Sequence, residues 1–109
     1  MAERSEREAA YFVLLRAREE LSDLRCYLEH LDDELRRLRR TDREEQALRA
    51  SVPARTRRVL RGSDAELREA IERRTALIED EIGRLPDRVA AAEQFVVECE
   101  RHHEVLGGP

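Results

Sequence analysis

The sequence predicts an all-α protein built on a coiled-coil seam, and three observations carry that prediction. Ala10, Leu14, Ala17, Leu21, Leu24, Leu28, Leu31, Leu35 and Leu38 are spaced alternately four and three residues apart. A mean spacing of 3.5 residues places them in one stripe along a helix that supercoils against another helix. Charged residues make up 42% of the chain and aromatic residues 4%, the balance of a coiled coil or long helical bundle rather than of a deep-cored enzyme. Glycine and proline together number only seven, few enough for long helices. A stripe of leucines cannot be buried by its own helix, and each leucine stands to gain about 1.5–3 kcal/mol from burial. Helix–helix contact is therefore the expected mode of action.

The first helix is expected from about Ser5 to Arg40, opened by the capping-box pair Ser5 and Glu8. A second such pair, Thr41 and Glu44, allows a short helix from Asp42 to Ala50 that Pro53 would end. Residues 41–62 as a whole read as a basic connection. Gly62 and Ser63 then open a helix of residues 63–85, with Ser63 and Glu66 as its capping box. Its stripe is read as Leu67, Ile71, Ile78, Ile82 and Leu85, widened by Ala70 and Leu77 and interrupted by Arg74, whose stem would lie along the edge. A final segment of residues 87–106 repeats the spacing in Val89, Ala92, Val96, Cys99, His103 and Leu106.

Pro86 separates two architectures. Inside a helix a proline costs about 3 kcal/mol, whereas in a first turn it is well tolerated, and Gly83 just before it could end a helix. The chain is thus either a long antiparallel helical hairpin kinked at Pro86, with arms of matching length, or a three-helix bundle that turns back there. The hairpin is the reading adopted, as a single helical domain.

All 21 basic residues are arginine, so no lysine amine exists for Schiff-base chemistry. The N-terminal residues form no basic-then-apolar leader and no segment reaches the length of a membrane span. Two distant cysteines make a poor disulfide framework. The expectation is a cytoplasmic protein that makes no membrane contact and needs no cofactor. No phosphate-binding glycine loop, nucleophile elbow or zinc-protease signature is present, and Glu100 with His103 supplies one copy of a di-iron motif that requires two. An enzyme is not expected.

Three groups of residues invite a function. The runs AAYFVLL (residues 9–15) and VAAAEQFVV (residues 89–97) are apolar nearly all round, and such a helix needs more than one neighbour. In the hairpin they lie together, so Tyr11, Phe12, Val13, Phe95, Val96 and Val97 are the candidate partner-binding residues, for another protein or for a second copy of the chain in a homo-oligomer. Residues 36–61 hold ten arginines and three acids, against a net charge of −4 for the whole chain. Arg36, Arg37, Arg39 and Arg40, with Arg55, Arg57, Arg58 and Arg61, form a basic patch that could dock on nucleic acid or an acidic partner. No aromatic residue accompanies it for base stacking, so nucleic acid is the lesser reading. Finally, Cys26 with His30 and Cys99 with His103 repeat one spacing, and two such pairs could make a Cys2His2 zinc site. Cys26 and His30 lie off the leucine stripe while Cys99 and His103 lie on theirs, which argues against convergence.

The run Arg73-Arg74-Thr75-Ala76-Leu77-Ile78-Glu79-Asp80-Glu81-Ile82-Gly83-Arg84-Leu85 resembles the second helix of β-type prefoldin subunits, with basic, apolar and acidic residues in the same order. The step Leu85-Pro86-Asp87, followed by apolar, alanine-rich helix, is similar to the proline kink of tubulin-binding cofactor A. The resemblance covers about a third of the chain. It implies long antiparallel helices, a non-catalytic role in protein folding, and client binding at the helix tips, which fall on Tyr11, Phe12, Val13, Phe95, Val96 and Val97. The functional expectation is therefore a non-enzymatic protein–protein interaction module, a coiled-coil scaffold or adaptor or a small prefoldin-like chaperone. Nucleic-acid or acidic-partner binding and a zinc-stapled bundle are the alternatives.

Overall fold

In the computed structural model, which describes residues 2–107, the chain is all-α and consists of two helices, α1 (Ala2–Ser51) and α2 (Ala54–Gly107). Only Val52 and Pro53 separate them. The Ser51 hydroxyl donates to the Leu48 carbonyl (2.7 Å), satisfying one of the carbonyls left over where α1 ends. The Pro53 carbonyl accepts the Arg57 amide (3.1 Å) and so closes the first turn of α2. Proline suits this place because its missing N–H would have had no helical partner there.

Both helices run further than their sequence signals indicated. Thr41 and Glu44 do not restart a helix; they lie inside α1. The stretch after Arg40 consists mainly of good helix formers, and Asp42, Glu45 and Arg49 continue the four-three spacing as half-buried residues. The Gln46 amide donates to Asp42 one turn back (3.1 Å). The basic connection expected over residues 41–62 is thus helix at both ends, and the turn shrinks to two residues. Gly62 and Ser63 likewise lie within α2 rather than opening it.

Pro86 also lies inside α2, with helix before and after it, so no third helix begins there. The reason is the continuity of the seam. Ile78, Ile82, Leu85, Val89, Ala92, Val96 and Cys99 keep the four-three alternation through the proline, and Leu85 is fully buried beside it. Burying a leucine or isoleucine gains about 1.5–3 kcal/mol, so a few seam positions offset the cost of about 3 kcal/mol for the proline.

By packing, the described chain divides into two compact units, one of the segments up to Glu29 and from Arg84, the other of residues 30–83. The second unit is a helical hairpin closed by the turn. Its core is Leu31, Leu35 and Ile78, and its helices are antiparallel, since Arg39 pairs with Glu79 (3.3 Å) and the later Arg49 with the earlier Asp64 (3.9 Å). The first unit joins the opposite ends of the two helices, again antiparallel: Arg18 meets Glu100 (3.6 Å) and Arg25 meets Glu93 (3.4 Å). Its core is Leu14, Ala17, Leu21, Val96 and Cys99, with Val89 and Ala92 packed against them. Arg7 donates to the Leu106 carbonyl from Nε and Nη2 (3.4 and 3.3 Å), a cation placed on the negative end of α2.

One part of the stripe shifts by a residue. Strict four-three spacing takes the seam of α2 through Ile71, Thr75, Ile78 and Ile82, leaving Ala70, Arg74 and Leu77 on the flank. Leu77 is 63% exposed while its neighbour Ile78 is 1% exposed. Leu67 is exposed as well. Arg74 is more than an edge-lying stem: its Nε and Nη2 clasp both carboxylate oxygens of Glu34 at 2.8 and 2.9 Å. This forked bond holds the Glu34 carboxyl below the usual carboxylate range, with the nearby charges of Arg74, His30 and Arg37 acting in the same direction. Among the described residues, no helix is long and apolar enough to cross a membrane.

Candidate functional site

In the first unit, each helix carries a flank one residue before its seam and another one residue after it. The two flanks differ in kind. The later one holds Arg18, Arg25, Glu93 and Glu100, whose two ion pairs cross from helix to helix. Tyr11 and Val97 also fall there, and the Tyr11 ring lies 5.8 Å from that of His103 and 5.9 Å from that of Phe12.

The earlier flank is hollowed, apolar around Val13 and Phe95 and charged on either side of them. A shallow groove of ≈ 750 Å³ runs over Ala9, Val13, Phe95 and Leu106, bordered by Glu6, Glu98 and His102. A second hollow of ≈ 330 Å³ shares Val13 and Phe95 and adds Phe12, Arg16 and Glu20. A third, of ≈ 370 Å³, continues from Glu20 past Asp23 and Leu24 to Tyr27 and Arg88. Phe12 is 64% exposed, Val13 51% and Phe95 47%, side by side at the junction of the first two hollows. The seam has used Leu14, Ala17 and Val96 for the core, and these three side chains stay largely exposed beside it.

The six candidate partner-binding residues are therefore not brought to one place. Phe12, Val13 and Phe95 converge on the hollowed flank. Tyr11 and Val97 are exposed on the other one. Val96 is corrected to a core residue, 8% exposed, because it occupies the seam between Ala92 and Cys99. Ala9, His102 and Tyr27 belong to the hollowed flank and were missed; their signal was the spacing one residue behind the leucine stripe, as in Ala9, Val13, Arg16, Glu20, Asp23 and Tyr27.

The basic patch divides too. In the second unit, Arg57, Arg58 and Arg61 surround a hollow of ≈ 380 Å³ together with Arg49 and Arg68, which sequence reasoning did not include, and with Asp64 as the lone acid. Arg49 Nε is buried without a hydrogen-bond acceptor, 3.9 Å from Asp64 Oδ2. Arg36 and Arg39 are elsewhere: Arg36 lies 4.0 Å from Asp33 one turn back, and Arg39 pairs across to Glu79. Arg37, Arg40 and Arg55 are exposed and do not line the hollow.

The zinc set does not assemble. Cys26 is exposed and Cys99 is buried in the core beside Leu14, about 18 Å of helix rise from Cys26. Among the described residues, no three side chains of histidine, cysteine, aspartate or glutamate come together as metal ligands. His103 is instead half-buried on the seam, against Tyr11. Compared with protein-family models, curated proteins and solved structures, the chain matches none.

Proposed function

We propose that this chain is a non-enzymatic protein-binding module, a coiled-coil scaffold or adaptor or a small prefoldin-like chaperone, and that it binds through the hollowed flank of the first unit. The observation that carries the reading is the cluster of Phe12, Val13 and Phe95, large apolar side chains exposed together over a groove. Exposed apolar patches rimmed by charge are characteristic of association surfaces, and aromatic residues in them supply most of the binding energy. A photo-crosslinking residue placed at Phe12 or Phe95 should capture a protein chain, whereas one at Glu29, exposed on the later flank, should not. Equal capture at all three positions, or none at any, sinks the reading. A chaperone role further requires that stoichiometric amounts suppress aggregation of an unfolded protein; an adaptor has no such effect.

The arginine-lined hollow of the second unit favours a second reading, docking of nucleic acid or of an acidic partner. Five guanidinium groups against one carboxylate make a local field that attracts anions despite the acidic whole. Binding of this kind falls steeply with salt and should be abolished by combined Arg57→Gln, Arg58→Gln and Arg61→Gln. A mobility assay with no salt-dependent shift removes it.

A further inference from the structure

The charges along the hollowed flank are not arranged at random. On α1 it presents Arg16, which pairs with Glu20 one turn on at 3.7 Å, and then Asp23; on α2 it presents Arg88, then Glu98. The hollows also set the levels: Arg88 shares one with Glu20 and Asp23, while Glu98 shares another with Val13, one turn from Arg16. Each arginine on one helix thus stands level with, or one turn from, acids on the other.

We propose that the occupant of this flank is the same flank of a second copy, related by a two-fold axis parallel to the helices. Such an axis leaves every residue at its own height and stacks α1 over the partner's α2. Val13 then meets the partner's Phe95, and Phe95 the partner's Val13. Arg16 faces the partner's Glu98, and Arg88 faces the partner's Glu20 and the partner's Asp23; symmetry makes each of these pairs twice. All four helices have antiparallel neighbours, the arrangement of an ordinary four-helix bundle. The competing two-fold, across the helices and centred on Val13, sets Glu6 on the partner's Glu20, because both lie seven residues from Val13 in opposite directions. Like charges oppose in that register, whereas the parallel axis opposes unlike ones; charge pairs at a rim choose register and partner more than strength.

The area is adequate. From Glu6 to Tyr27 the flank rises about 33 Å, and two helices side by side are about 20 Å wide. The resulting face of about 650 Å² per copy approaches the ~800 Å² per partner of a standard stable interface.

The proposal rests on the protein-binding reading above, and its test separates the two. The full chain is followed by sedimentation and light scattering at physiological salt over micromolar concentrations, with circular dichroism to show that each variant is folded. The expected mass is twice 12.8 kDa. Arg16→Glu and Glu98→Arg should each weaken the dimer at least tenfold, and the two combined should recover it to within about threefold of the parent. Phe95→Asp should leave a folded monomer. A parent chain that stays monomeric overturns the proposal, as does a charge-swapped double variant no tighter than either single one. Should the crosslinker at Phe12 then capture only a different protein, the second copy is wrong and the protein-binding reading stands; should it capture nothing, both fall.

Discussion

Ile78→Ala and Leu77→Ala form a matched pair that tests where the seam of α2 runs. The two positions are neighbours in sequence and both are large aliphatics at stripe-like spacing, yet Ile78 is 1% exposed and Leu77 is 63% exposed. Truncating a buried isoleucine removes its transfer free energy and leaves a cavity, about 2–5 kcal/mol in all. For a chain of this size each kcal/mol displaces the melting midpoint by about 4–8 °C, so Ile78→Ala should lower it by about 8–40 °C. Leu77 sits on the flank, where substitutions usually stay within about 0.5 kcal/mol, and alanine is itself the best helix former. Its midpoint should stay within a few degrees of the parent. Thermal melts by circular dichroism at one fixed protein concentration, repeated as urea titrations with an unchanged slope, give the comparison. Equal losses at the two positions would falsify the seam assignment, and with it the one-residue offset that defines the flanks.

Two further perturbations report on helix continuity and acid stability. An added Cβ at Gly62 or Gly83 meets nothing within 4 Å, and neither glycine has positive φ, so Gly62→Ala and Gly83→Ala should each stabilise by about 0.5–1 kcal/mol, while Pro86→Ala should raise the melting point more than either; a loss at any of the three positions would mean that the helix is interrupted there. The Glu34 carboxyl titrates below its ordinary range because Arg74 donates to it, so its contribution is present above the ordinary carboxylate pKa and is lost as pH falls through the lowered value. Glu34→Gln should therefore flatten the acid limb of the parent's stability curve and leave its shape at neutral and higher pH unaltered; a pH profile identical to the parent's removes the role of the Arg74 clasp.

Periodicity was legible because it is local. The leucine stripe of α1 and the segment from Val89 to Leu106 could be read directly, since burial at every third and fourth residue leaves a trace in composition whatever the partner. The ends of the helices were not legible in the same way. Capping pairs at Thr41 and at Ser63 are real local preferences worth about 1 kcal/mol, and they yielded to a continuous run of helix formers and to the seam. Pro86 was undecidable from its own neighbourhood, because its cost of about 3 kcal/mol is local whereas the burial of Leu85, Val89 and Val96 that offsets it depends on α1.

The candidate site divides along the same line. Sequence alone marked both apolar runs, and it marked the excess of arginine after Arg36, because composition and charge belong to the chain itself. Tertiary structure decided which of those residues are surface. It took Val96 into the core, set Phe12, Val13 and Phe95 together on one flank, and gathered Arg49 and Arg68 with Arg57, Arg58 and Arg61. The physical reason is that a helical residue's exposure turns by about 100° per position. A stripe read from one helix fixes its own face well, but one residue of uncertainty in the facing seam exchanges core for flank.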